Sequence, residues 1–279
     1  MLETFGLRLS YEMLTSNQQK RAEMEEAGVM PDEHSLDDPR VHRIWKKRLE
    51  LLFGSLAPTG LILDAGCGPG TSGIVLAELG GTVIGIDISS RAVAVANERA
   101  ATKRVNFSAV LGDLDNLPAR NESFDICYSG WVLHHFPDIR PALSELALVL
   151  KPGGKIFIME PNESNPSVRL SRLIEGMAER WILRAGWDTP NRSTHLSTDY
   201  VAALEELGFA DIQIGSCSGG DGSPLPIEHD GRGPSAVIAV ALRLAFHMRT
   251  LCFNMTEKIL RPPLNGSDLL ISATLRDNT

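Results

Sequence analysis

Asp64, Asp87, Asp113, Ser129, His134, His135, Glu160 and Asn162 all follow predicted strands, and His195 lies on a loop. Carboxylates in such places accept hydrogen bonds from hydroxyl and amino groups of a ligand, and a histidine of near-neutral pKa can take a proton from a reacting group. Between Asp64 and the helix that follows stand three alternating glycines, Gly66, Gly68 and Gly70, with Cys67 and Pro69 between them. Glycines at that spacing let the main chain turn sharply and approach a ligand closely. Together these residues describe a small-molecule site on one rim of a sheet, a placement that a structural protein has little reason to adopt. For each histidine the plainer alternative is a ring that only packs or bonds to backbone.

The elements that must position these groups follow from hydrophobic periodicity. Leu61 to Leu63 reads as a buried strand, and Thr71 to Leu79, stopped by Gly80, as an amphipathic helix. A strand over Thr82 to Asp87 and a helix over Ser90 to Thr102 come next, then strands over Val105 to Leu111 and Phe124 to Ser129. The pattern continues with a helix over Pro141 to Leu150, a Pro-Gly-Gly turn, a strand over Lys155 to Glu160, a helix over Tyr200 to Leu207, and strands over Phe209 to Ile214 and Ser267 to Leu275. Alternating strands and helices predict an α/β fold with a doubly wound, seven-stranded, mostly parallel sheet, whose ligand lies at the carboxyl ends of the strands. Helical spacing at Ile44, Trp45, Leu49, Leu52 and Phe53 predicts a helix packed on the sheet edge.

The glycine spacing separates two kinds of nucleotide site. A nicotinamide dinucleotide site carries G-x-G-x-x-G, whereas here the glycines alternate and position 71 is Thr. The stretch Asp64-Ala-Gly-Cys-Gly-Pro-Gly70 resembles the first motif of class I S-adenosylmethionine-dependent methyltransferases. The resemblance implies a Rossmann-like methyltransferase fold with helical cap insertions, S-adenosyl-L-methionine as cofactor and S-adenosyl-L-homocysteine as product. It assigns the cofactor site to Asp64, Gly66, Cys67, Gly68, Gly70, Asp87, Ile88, Asp113, Leu114, Ser129 and Gly130. Within that set, Asp87 takes the ribose hydroxyls. Asp113 and the Leu114 amide take the adenine, and the backbone after Ser129 meets the methionine end. Asp87 as a cap of the following helix, and Gly112 and Asp113 as an ordinary turn, are the structural alternatives. The segment from Gly130 to Asp138, with its Leu-His-His, is similar to small-molecule methyltransferases and unlike the Pro-Pro-Tyr forms that methylate planar nitrogens. The Leu-Lys-Pro-Gly-Gly-Lys run again looks like the family, and the resemblance is closest to the group that includes quinone-biosynthesis methyltransferases.

Composition bounds the rest. The 279 residues, 43% hydrophobic and 22% charged, suit one large α/β domain with insertions. A formal charge of −8 argues against broad binding of nucleic acid. Four dispersed cysteines form no C-x-x-C pair and fit reduced thiols in the cytoplasm, and the N-terminus has no secretion-signal pattern. No metal is expected, because the histidines are scattered apart from the adjacent His134 and His135. The expected organisation is an N-terminal helical segment over 1–58 and a cofactor-binding domain over 59–279, with cap insertions at about 163–195 and 215–266. Trp181 and Trp187 either wall an apolar acceptor site or simply pack. An amphipathic helix over 235–257 packs on the domain or on a second subunit, with a membrane surface as the weaker alternative.

The expected activity is transfer of a methyl group to an oxygen, nitrogen or carbon atom of a small, partly apolar metabolite such as a phenolic, quinone or lipid-like compound. His135, His134 and His195 are the candidate bases where the acceptor must lose a proton. A nicotinamide-dependent oxidoreductase and a non-catalytic S-adenosylmethionine-binding protein are the alternatives.

Overall fold

The computed structural model describes residues 39–54, 56–169, 193–217 and 266–277. Most of the N-terminal segment, both expected cap insertions apart from their ends, Trp181, Trp187 and the amphipathic stretch at 235–257 lie outside the described residues.

The described chain runs α1 (Pro39–Phe53), β1 (Leu61–Ala65), α2 (Thr71–Glu78), β2 (Thr82–Asp87), α3 (Ser90–Lys103), β3 (Phe107–Leu111), β4 (Phe124–Gly130), α4 (Arg140–Val149), β5 (Leu150–Pro161), α5 (Ser197–Glu206), β6 (Phe209–Cys217) and β7 (Asp268–Leu275). A single 3-10 turn, Leu133–His135, follows β4. The strands form one seven-stranded sheet in the order β3-β2-β1-β4-β5-β7-β6. The first five are parallel, while β7 runs antiparallel to both β5 and β6. β1, β2 and β4 read as near-continuous apolar runs because both faces of the sheet are covered.

Two apolar layers flank the sheet. One packs α4 and α5 through Ala142, Leu143, Leu146, Tyr200, Ala203 and Leu204. The other packs α1, α2 and α3 through residues such as Leu49, Ile74 and Ala96. Strand order reverses where the parallel β1 and β4 lie side by side, since β1 leads towards β2 and β4 leads towards β5. A crevice opens outside the carboxyl ends of strands at such a reversal. Here the glycine turn and the residues after β4 meet at that reversal, with Val132 packed against Gly66.

Several local expectations change in three dimensions. α2 is enclosed rather than amphipathic, with every residue from Thr71 to Leu76 buried. α1 lies on the sheet face, not its edge: the Phe53 ring stacks on Phe157 of β5 with centroids 4.1 Å apart. The Pro-Gly-Gly turn is absorbed into β5, whose pairing with β4 shifts register between Phe124 and Ile126 while Gly153 adopts φ +72°. A bulge takes up the extra residues without ending the strand.

Candidate active site

The glycine turn is held by β2. Both Gly66 and Cys67 donate their amides to the Ile86 carbonyl, at 2.8 and 3.0 Å. Gly66, Gly68 and Gly70 all have positive φ, which favours glycine. The reason for glycine nevertheless differs along the turn. A Cβ on Gly66 would lie 2.5 Å from Val132, one on Gly70 would lie 3.0 Å from Ala96, and one on Gly68 would meet nothing within 4 Å. The outer two glycines therefore allow protein to pack on protein, and Gly68 alone faces open space.

Asp87 closes the turn from above. One carboxylate oxygen accepts the Gly68 amide at 2.7 Å and the other accepts the Ser89 amide at 2.9 Å. Burial raises its pKa, opposed by the backbone amides of Ser89, Gly68 and Ile88. Capping of α3 falls instead to Ser89, whose hydroxyl accepts the Ala92 amide. The second lone pair on each Asp87 oxygen leaves capacity for ligand hydroxyls.

Asp64 is fully buried beside Tyr128, its register partner on β4. One of its oxygens accepts the Ser72 hydroxyl at 3.1 Å, and the other has no protein partner. Burial pushes its carboxyl up to about 7, with Asp87 adding to the rise and Ser72 opposing it. Cys67 turns its thiol into the core, where burial raises its pKa well above the usual value, so only its main chain can face a ligand. Asp113 at the end of β3 is buried and accepts the Asp115 amide at 3.2 Å, with Leu114 buried next to it. Ser129 is in register with Ala65 and Ile158, and so faces the opposite layer from Tyr128.

Beyond β4, Glu160 organises the turn. Its Oε1 accepts the amides of Val132 and Leu133 at 2.9 and 2.7 Å, and its Oε2 lies 2.7 Å from Nδ1 of His134. The His135 ring lies tilted against that of His134, at an interplanar angle of 38° with centroids 4.1 Å apart. His195 spends its Nε2 on the Phe136 carbonyl at 2.8 Å, and Ser193 donates its amide to the His134 carbonyl at 2.7 Å. The three histidines thus sit near one turn, with His195 acting as a latch upon it.

Sequence reasoning passed over a polar group beneath α1. Arg48 pairs with Asp268 at 3.1 Å, and its guanidinium lies 5.5 Å from the Trp45 centroid and 5.2 Å from that of Trp131. Arg48 Nε, Tyr128 Oη and Trp131 Nε1 are buried and have no hydrogen-bond partner among the described residues, as is true of the second Asp64 oxygen and of Ser129 Oγ. A readable signal existed: Arg48 falls on the same helical stripe as Trp45, Leu49 and Leu52, and a charge within an apolar stripe needs a buried partner.

Residues 63–158 match a family model described as a methyltransferase domain. A demethylmenaquinone methyltransferase of Shouchella clausii (strain KSM-K16) is 37% identical over 126 residues, which is 44% of this chain and 53%, about half, of that relative. One of the same name from Staphylococcus aureus (strain JH9) is 29% identical over 198 residues, covering 64% of this chain and 79% of the relative. Among solved structures, geranyl diphosphate C-methyltransferase from Streptomyces coelicolor A3(2), described with S-adenosyl-L-homocysteine, superposes with TM-score 0.61 over 93% of this chain and 98% of the other. At 16% identity that likeness speaks for the fold. The alternating glycine turn, the acid closing it from β2 and the antiparallel β7 agree with the domain matched over residues 63–158, and the chain is similar to class I S-adenosylmethionine-dependent methyltransferases, among them those of quinone biosynthesis.

Proposed function

We propose that the protein transfers the methyl group of S-adenosylmethionine to an oxygen, nitrogen or carbon atom of a small, partly apolar acceptor. The observation that carries this reading is the Asp87–Gly68 hydrogen bond, which sets an acid with spare lone pairs over the one glycine of the turn that faces open space. In this reading Asp87 takes the ribose hydroxyls, Asp113 and Leu114 border the adenine, and the main chain at Gly66 to Gly70 and at Ser129 and Gly130 meets the methionine end. The buried, unpartnered atoms of Asp64, Tyr128, Trp131 and Arg48 fit a zwitterionic amino-acid group, because they combine an acceptor with several donors. A dinucleotide site is not favoured, since β7 runs antiparallel between β5 and β6 and the glycine spacing differs.

Bound here, the cofactor supplies a methyl group already activated on a sulfonium. The protein's task is then to bind, align and exclude water. His134 and His135 are the candidate bases at the β4 turn. His195, held by a backbone carbonyl, serves as a latch. The relatives' named substrates, a quinone precursor and a prenyl diphosphate, support an acceptor with apolar surface. Free, buried Cys67, Cys127 and Cys217 support a cytoplasmic location, and no helix among the described residues is long and apolar enough to cross a membrane. The division at about residue 58 and the caps at 163–195 and 215–266 remain part of this proposal, with α1 packed into the domain it precedes.

Calorimetry with S-adenosylmethionine, S-adenosylhomocysteine and NADH tests the reading on wild type beside Asp87→Ala. Binding of both sulfur ligands, lost in the variant, is the expected result. Binding of NADH alone would overturn it.

A further inference from the structure

We propose that Glu160 is a positioning residue that makes His134 the proton acceptor of this site, by fixing the imidazole with its proton on Nδ1 and its lone pair on Nε2. The inference rests on the methyl-transfer reading and deepens it by selecting one of the three histidines. It also commits the acceptor to a class: one that must lose a proton from the attacking atom, such as a phenol, an enol or a carbon acid.

The hydrogen bonding leaves the Glu160 carboxylate one electronic role. Two backbone amides and Nδ1 of His134 converge on a fully buried side chain, and amides can only donate. Both amides occupy Oε1, and a carboxyl is ordinarily a stronger acid than imidazolium, so the proton between Oε2 and Nδ1 belongs to the ring, and in a neutral ring Nδ1 carries it. Nε2 is then the acceptor. Among the described residues Nε2 has no hydrogen-bond partner, and the His134 side chain keeps 9% of its surface exposed.

The same carboxylate lies 2.7 Å from Nδ1 and so holds the ring in place while Nε2 takes a proton. Among the described residues no carboxylate pairs with His195, whose Nε2 faces the neutral Phe136 carbonyl. The acceptor's proton passes to Nε2 while its freed electron pair forms the bond to the methyl carbon, and the carbon–sulfur pair departs with sulfur as a neutral thioether. His134 then returns its proton to solvent.

Glu160→Gln gives a discriminating test, because the variant keeps an oxygen for the two amides but presents an NH2 to the ring. Nδ1 must then accept, which drives the proton to Nε2. Imidazole 15N spectra of the full chain with S-adenosylmethionine at about pH 8.5, above the ordinary histidine range, assign the His134 signals by their loss in His134→Gln. Wild type is expected to carry its proton on Nδ1 and Glu160→Gln on Nε2, with cofactor affinity by calorimetry unchanged within about threefold, well under one tenfold step of 1.4 kcal/mol. A wild-type ring protonated on Nε2, or on both nitrogens at that pH, overturns the proposal while cofactor binding leaves the methyltransferase reading standing. Loss of cofactor binding in Glu160→Gln alone also overturns it and leaves Glu160 a purely structural part of the turn. Absence of cofactor binding by the wild type overturns the methyltransferase reading and the proposal together.

Discussion

The Tyr128 hydroxyl folds over the main chain of Gly130, so that a Cβ at Gly130 would overlap the hydroxyl and sit 2.7 Å from the ring Cζ. A β-strand sends residues two apart to the same face, and a large ring can lie back over its neighbour only where that neighbour has no side chain. Gly130→Ala is therefore expected to destabilise the protein by about 1–3 kcal/mol through overpacking. Denaturant unfolding of Gly130→Ala, Tyr128→Leu and the double variant checks this. The double variant should cost clearly less than the sum of the singles, and strict additivity would contradict the contact.

Asp64 makes stability depend on pH in a direction set by its raised pKa. The native carboxyl, pushed up to about 7, binds a proton that the unfolded one gives up near its ordinary value of 3.8. Between those values the native state holds more protons, so this group's contribution to stability falls as pH rises from about 4 to about 7. Melting temperatures across that window should decline less in Asp64→Asn than in wild type. Parallel curves would show that the carboxyl does not titrate there.

Asp87 and Ser89 separate ligand binding from capping. Asp87→Ala removes the acceptor of the Gly68 and Ser89 amides and should abolish detectable binding of S-adenosylmethionine. Ser89→Ala removes only the helix cap, which costs about 1 kcal/mol of stability, and should leave affinity within about threefold, again under one tenfold step. Calorimetry and thermal melts on the two variants give the comparison, and equal losses of affinity would mean that Asp87 acts on the turn alone.

The Arg48–Asp268 pair ties α1 to the first residue of β7. Its side chains are 11% and 3% exposed, so removal of either partner strands a charge in the interior. Asp268→Ala is expected to cost about 3–5 kcal/mol, and a joint replacement of Arg48 by Met and Asp268 by Leu to cost less than either single change. Denaturant midpoints decide, and a small effect of Asp268→Ala would place the pair in contact with solvent.

Residues close in sequence carried much of this protein's architecture on their own. The run from Leu61 to Gly70 could be read directly, because a strand, three glycines with positive φ and a helix are consecutive and their conformations depend on immediate neighbours. Asp87 was legible for the same reason, as an acid at the end of the next apolar strand. The Pro-Gly-Gly run was legible as a local reversal, but only pairing of Leu150 and Lys155 with β4 on either side of it decided that it bulges within one strand. What the linear chain could not decide were pairings across long separations. Glu160 reaches His134 from the neighbouring strand, Arg48 reaches Asp268 across almost the whole chain, and β7 enters antiparallel between β5 and β6. Such contacts depend on which elements become neighbours once the sheet closes, and a buried charge or lone pair reveals its partner only when packing has excluded water from both.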